Sequence, residues 1–137
     1  MDTTYRNTDL DLVAAFPLDP LANQLTSAGM VQLSTYQDDQ DHWHTSFEIV
    51  GYDDDEIHAN AEATIKAMLA VLEALPEREK QAFAQCKLRE FNVAYDVGAT
   101  AGADGPRDFR AGIGAATLAR MAALQTSLLI TLYPNAP

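Results

Sequence analysis

Apolar and polar residues alternate in four separated stretches of this chain, at residues 8–16, 30–36, 42–50 and 88–98. Successive side chains of a β-strand point to opposite faces, so this alternation predicts strands that are buried on one side only. The chain is therefore expected to build an antiparallel or mixed sheet, with one face under helices and the other face open.

The segments between these strands carry helix signals. DPLANQLTSAG (19–29) has proline at its first helical position and ends at Gly29, a left-handed stop. A long helix is predicted to start at residues 53–55, because aspartates suit the N-terminal end of the helix macrodipole. Its apolar stripe recurs at spacings of three and four, and Pro76 ends it and opens a second, short helix.

A further helix around residues 115–126 and a last strand at 127–133 complete the order β-α-β-β-α-(α)-β-α-β. The first part of this order matches the split βαβ, ferredoxin-like plan. We therefore predict one α+β domain over residues 1–137, with a ferredoxin-like antiparallel or mixed sheet, helices on one face, and a C-terminal helix and strand as an extension. The position of the last strand in the sheet stays open.

Charge narrows the classes of partner. Nine basic against twenty acidic residues give a net charge of −11. Nucleic acids and anionic membrane surfaces are disfavoured, since their phosphates would be repelled. A basic protein or a cation would be attracted, although excess acidity is also a common route to solubility.

The stretch DDQDHWHTSFEI (38–49) holds two histidines and the only tryptophan. If it is a strand, His42 and His44 project from one face and can share a metal ion, with Asp9 or Asp11 of the first strand as further ligands. This alternative predicts a metal-binding protein or a metal-dependent hydrolase. The favoured interpretation is a β-hairpin with a solvated face and no cofactor. The hairpin itself offers three more candidate ligands, Asp38, Asp39 and Asp41.

The glycine-rich loop at 98–114 suggests a second alternative. Gly112 and Gly114 precede a helix and have Arg107 and Arg110 nearby, which is a pattern that can bind a small anionic ligand. The full GxGxxG motif is absent, because position 117 is threonine. A loop whose glycines permit tight turns explains the same residues and is favoured.

Catalytic motifs are missing. There is no GxSxG or comparable nucleophile motif, and Cys86 has no histidine close in sequence. No carboxylate stands in an apolar context that would raise its pKa. The balance is against an enzyme. One cysteine and an N-terminus without an apolar signal segment predict a cytoplasmic protein.

The second half of the chain carries LREFNVAYDVG, then the glycine-rich loop, then LARMAALQTSLLITLYP. This layout resembles small bacterial proteins of the family called domain of unknown function 4279, over about residues 42–133. Gln125 stands where that layout has a glycine turn. The resemblance implies a small bacterial α+β protein and assigns no functional residue.

Together these observations predict a non-catalytic, acidic protein that acts through protein–protein interaction. Its partner would be a second copy, forming a homodimer, or a basic protein, as for an immunity-type protein or inhibitor. The predicted interaction face is the open side of the sheet, comprising Gln32, Ser34, Tyr36, His44, Ser46, Glu48, Asn92 and Asp96.

Overall fold

The computed structural model describes residues 2–51, 56–98 and 109–134. Strands and helices follow one another along this part of the chain in the order that the sequence predicts. Their bounds are β1 Thr4–Ala14, α1 Asp19–Ser27, β2 Met30–Gln37, β3 Trp43–Ile49, α2 Ala61–Glu73, α3 Glu77–Ala84, β4 Leu88–Val97, α4 Ala115–Ala123 and β5 Ser127–Pro134.

The strands form one five-stranded mixed sheet in the order β2-β3-β1-β4-β5. β1 lies at the centre and runs antiparallel to both β3 and β4, and β2 runs antiparallel to β3. β5 pairs with β4 in parallel and forms one edge of the sheet. This places the last strand, which the sequence alone leaves without a position. The parallel pairing follows from the crossover through α4, since parallel neighbours need a long connection.

The core lies on one side of the sheet. Leu10 and Leu12 of β1 are fully buried, and their neighbours Phe47 of β3 and Phe91 of β4 are equally inaccessible. All four described helices contribute buried side chains to the same cluster, and α2 contributes half of them. An α+β fold with helices on one face and an open second face is therefore confirmed.

The long helix starts later than the aspartates predict. Residues 56–60 form a turn, and α2 begins only at Ala61. The Asn60 side chain accepts the Ala63 N–H at 2.8 Å, which satisfies one of the free donors at the start of the helix. A side chain that caps in this way defines the start more strongly than a nearby negative charge. The aspartates at 53–55 lie outside the described residues.

Two irregularities change which face a side chain occupies. The pairing of β1 shifts between Tyr5 and Asn7, and that of β2 shifts between Gln32 and Ser34. An extra residue in one strand reverses the alternation beyond it. Gln32 therefore lies opposite the core residue Phe47 and donates to the Thr45 hydroxyl at 2.9 Å. Its assignment to the open face is wrong for this reason.

The end of α4 has the hydrogen bonds of a Schellman motif. The Thr126 N–H donates to Met121 O and the Gln125 N–H donates to Ala122 O, each at 3.0 Å. This motif requires a left-handed residue, and Gln125 adopts a φ of 54° there. α4 thus ends at Ala123, earlier than expected, in a turn that glycine would adopt with less strain.

Replacing Gln125 by glycine should therefore stabilise the protein by about 1 kcal/mol, because the left-handed conformation carries no Cβ penalty in glycine. Urea unfolding followed by circular dichroism measures this free energy. Gln125→Ala is the matched control, since it removes the same side chain but keeps the strained Cβ. Equal stabilities of the two variants would contradict the explanation.

Candidate interaction face

The open face is the side of the sheet opposite the helices. Its polar residues on β1 to β4 include Asn7, Asp9, Asp11, Ser34, Tyr36, His44, Ser46, Glu48, Glu90, Asn92 and Asp96. Along β1, β3 and β4 these positions alternate with the buried core residues, so the packing of the core decides which side chains meet here.

Negative charge is concentrated on this face. Five of its residues are acidic, and among the described residues the sheet brings a single arginine to them, Arg6. The Arg6 guanidinium lies 3.5 Å from Asp96 and 4.5 Å from the centre of the Tyr133 ring, at one corner of the face. The other four, which we call the central carboxylates, are Asp9, Asp11, Glu48 and Glu90.

One amide joins two of the central carboxylates. Asn7 Nδ2 donates to Glu48 Oε1 at 2.8 Å and to Asp9 Oδ1 at 3.2 Å. A neutral amide orients these oxygens but supplies no positive charge, so the two carboxylates continue to repel each other. Burial, Glu48 and Asp11 together raise the pKa of Asp9 to about 6. The expectation that no carboxyl group has a raised pKa is wrong, because the burial of Asp9 and its proximity to Glu48 arise from the pairing of strands that are distant in sequence.

The other two central carboxylates, Asp11 and Glu90, also lie close enough to repel each other. Asp11 accepts a 2.7 Å hydrogen bond from the Ser46 hydroxyl and lies directly opposite Glu90 in the β1–β4 pairing. Burial and the Asp11 charge raise the pKa of Glu90. Like charges directly opposite each other destabilise a sheet. A cation placed over this face would remove that repulsion.

The structure brings most of the predicted interaction residues together on the open face. The sequence-based prediction does not include the most acidic part of this face. Ser34, Tyr36, His44, Ser46, Glu48, Asn92 and Asp96 lie on the open face. Asn7 and Glu90 were not predicted, although Glu90 precedes Asn92 by two positions in an alternating stretch. Asp9 and Asp11 were proposed only as metal ligands.

The histidines do not meet those aspartates. His44 lies opposite Val13 in the β1–β3 pairing, and its Nε2 is 2.7 Å from Asp38 Oδ2. His42 precedes the strand, and its Nε2 is 2.8 Å from Lys87 Nζ. The proposed set of His42, His44, Asp9 and Asp11 is therefore not assembled. In the part of the chain that the structure describes, no group of three His, Cys, Asp or Glu side chains is arranged to hold a metal ion.

Asp38 instead organises the hairpin. Its Oδ1 accepts the backbone N–H groups of Gln40 and His42 at 2.8 and 3.0 Å, and its Oδ2 faces His44. These hydrogen bonds, led by the one with His44, lower the pKa of Asp38 to about 2. Tyr36 stacks on His44 with ring centres 4.5 Å apart. A turn-forming aspartate explains the histidine-rich stretch without a metal.

The start of α4 is occupied by the chain's own carboxylate. Glu62 Oε1 accepts the Gly114 N–H at 2.7 Å and the Thr117 hydroxyl at 2.9 Å. An anion at this helix end would have to displace Glu62, so the structure gives the anion-binding alternative no support there. Of the other residues in that alternative, Gly112 and Arg110 line a nearby cavity of about 390 Å³, and Arg107 lies outside the described residues.

The single thiol is unsuited to nucleophilic chemistry. Cys86 is buried, and burial raises its pKa to about 11. The thiolate is the reactive form, so this side chain stays protonated near neutral pH. It packs as part of the core.

No family model matches this chain, and comparisons with curated proteins and with solved structures also found no match. Among the described helices, none is both long and apolar enough to cross a membrane.

The raised pKa of Asp9 makes stability depend on pH. The unfolded carboxyl group ionises near its ordinary value of 3.8, whereas the folded one keeps its proton up to about pH 6. The folded state thus binds more protons in this window, and stability falls as pH rises through it. Asp9→Asn should be about 1 kcal/mol more stable than the wild type at about pH 7.5, allowing for the half-exposed position, with little difference at about pH 4.

Thermal unfolding at the two pH values tests this dependence. Asp39→Asn, which removes the same charge from the exposed hairpin, is the control. A gain from Asp9→Asn that is equally large at both pH values would rule out the titration of Asp9 as its cause.

Proposed function

We propose that this chain is a non-catalytic interaction protein whose open face binds a basic protein. The observation that carries the proposal is the set of four central carboxylates, which the sheet holds together with no basic side chain of the described residues placed among them. Lysine or arginine side chains of a partner would supply the missing charge. The free energy released by ending the repulsion would add to that of the new ion pairs.

The same charges argue against a homodimer through this face. Packing two copies by their open faces would bring ten acidic groups together, five from each copy. Each copy would contribute one arginine of the described residues, Arg6, at one corner of its face. Like-charge contacts across an interface cost several kcal/mol. Of the two partners that the sequence suggests, a basic protein is therefore the better occupant of the open face.

An immunity-type protein or inhibitor is the sharper form of the proposal. The net charge of −11 would speed the encounter with a basic partner, and the open face would then cover the partner's basic surface. Such binding blocks the partner's site by occupying it and needs no chemistry from this chain.

A ferredoxin-like arrangement of the first four strands is part of the same proposal. Their order, β2-β3-β1-β4, and their antiparallel pairing support it. Sheets of this plan that are open on one side often pair with another protein, which is an argument from fold analogy. A bacterial source and a cytoplasmic location remain predictions from the sequence.

An oligoarginine peptide tests the face directly. Fluorescence anisotropy measures its affinity for the wild type and for the double variant Asp11→Asn with Glu48→Gln. We expect about tenfold weaker binding by the variant, at roughly 0.7 kcal/mol per lost ion pair. Amide chemical shifts should change along β1, β3 and β4.

The matched control is Glu77→Gln with Glu79→Gln, which removes two charges from the first turn of α3. It should weaken binding by less than about twofold, since these residues lie outside the face. Equal losses in both double variants would mean that the peptide senses net charge only, and the open face would then not be the binding site.

Binding should also depend on pH. A bound cation favours ionised Asp9, so the group would release its proton on binding whenever the pH is below about 6. The affinity for the peptide should therefore fall up to about tenfold between about pH 7.5 and pH 5. Calorimetry in two buffers of different ionisation enthalpy measures the released proton. Asp9→Asn should abolish most of this release, and an unchanged release would contradict the role of Asp9.

A further inference from the structure

The free edge of β5 is the least protected surface of the sheet. Among the described strands, β5 pairs with β4 alone, so one row of its backbone N–H and C=O groups points away from the sheet. Such a row is a template for pairing with another strand. Proteins usually protect it with a charged residue, a proline or a bulge. β5 has no charged residue and no bulge, and its one proline, Pro134, stands at the last position and leaves the edge from residue 127 to 133 uncovered.

Large apolar side chains on β5 are exposed on both faces. Ile130 and Leu132 on the helix side are 57% and 60% exposed, which is unusual for aliphatic residues in a strand. The register with β4 places Leu129 and Tyr133 on the open-face side, and both are exposed. A strand with this composition gains free energy if a second strand covers it.

The opposite edge of the sheet is protected. β2 contains the irregularity between Gln32 and Ser34, which interrupts a regular row of backbone groups. Its end turns into the hairpin that Asp38 organises. An incoming strand would therefore pair more readily with β5 than with β2.

The surface beside β5 is also apolar. A groove of about 230 Å³ lies between β5 and α4, and Leu118, Leu128 and Ile130 line it. Leu118 of α4 is 45% exposed. The only charged residue of α4 or β5 is Arg120, and its guanidinium is paired with Glu73 at 2.6 and 3.0 Å. We call β5 together with α4 the α4–β5 margin.

The lack of unpaired charge on α4 and β5 favours a second copy of this chain as the partner that covers the α4–β5 margin. Two chains of net charge −11 repel each other, and the repulsion is smallest where the touching surfaces carry no unpaired charge. In the described part of the chain, the α4–β5 margin meets this condition, whereas the open face does not. A basic partner, by contrast, would find no carboxylate on α4 or β5 to pair with its charges.

We propose that two copies of this chain join through their β5 edges into one continuous sheet around a two-fold axis. Antiparallel pairing centred on Ile130 places Ile130 opposite its own equivalent and Leu128 opposite Leu132 of the partner subunit. All of these side chains lie on the helix side, so the two apolar grooves meet as well. The contact uses the same surface on both copies and closes at a dimer.

Sedimentation velocity over a range of concentrations tests the proposal. The wild type should be a dimer, and Ile130→Lys should raise its dissociation constant at least about tenfold, because two lysines would then lie directly opposite each other. The substitution lowers the net negative charge, so any general electrostatic effect would favour the dimer instead. Leu33→Lys, at an exposed position of β2, makes the same change at the other edge and should leave the dimer intact.

A second variant tests the register. Ile130→Cys should form an intermolecular disulfide on mild oxidation, since directly opposed residues of antiparallel strands are close enough for one. Leu33→Cys should not do so, and Cys86 is buried in both variants.

Three results would overturn the proposal: a monomer at every concentration, a dimer that survives Ile130→Lys, or a dimer that Leu33→Lys disrupts. Peptide binding at the open face uses other residues, so these outcomes do not depend on the proposed function.

Discussion

The burial of the helix-side face of β1 beneath α2 is the contact on which the rest of the structure depends. Leu10 and Leu12 are inaccessible to solvent, as are Ile65, Met68 and Leu69 of the helix. Each such side chain contributes roughly 1.5–3 kcal/mol when it is fully buried. Because the period of a strand is two, a slip of one residue would expose all of them, so this packing sets the register of β1 against both of its neighbours.

The same register imposes a cost on the other face. Once the leucines of β1 point inward, Asp9 and Asp11 must point outward, where β3 brings Glu48 and β4 brings Glu90. The core therefore holds four carboxylates together that would separate in a flexible chain. The raised pKa of Asp9 is the measurable sign of this cost. Functional sites are often the places where a fold carries such unfavourable interactions.

The surfaces of the molecule divide into two kinds. The open face is acidic and suits a partner of opposite charge, whereas the α4–β5 margin is apolar and suits a like-charged second copy. These two proposed contacts are compatible, because pairing at the margin would continue the sheet sideways and leave its open face accessible. A dimer would then present two acidic faces side by side, which would strengthen binding to a partner with two basic surfaces.

Local periodicity by itself determined that residues 8–16, 30–36, 42–50 and 88–98 form strands and that helices cover one side of the sheet. These features depend on neighbours a few residues apart. The net charge follows from composition alone. The burial of one side expected for residues 30–36 is wrong, because β2 lies at a sheet edge and is exposed from Gln32 onward. Only the tertiary structure decided that Gln32 faces the helices, that Asp38 rather than Asp9 meets His44, that Glu62 occupies the start of α4, and that β5 lies at an edge. These four features depend, respectively, on a bulge, on the geometry of a hairpin, on the packing of two helices and on a crossover connection, and the alternation of apolar and polar residues encodes none of them.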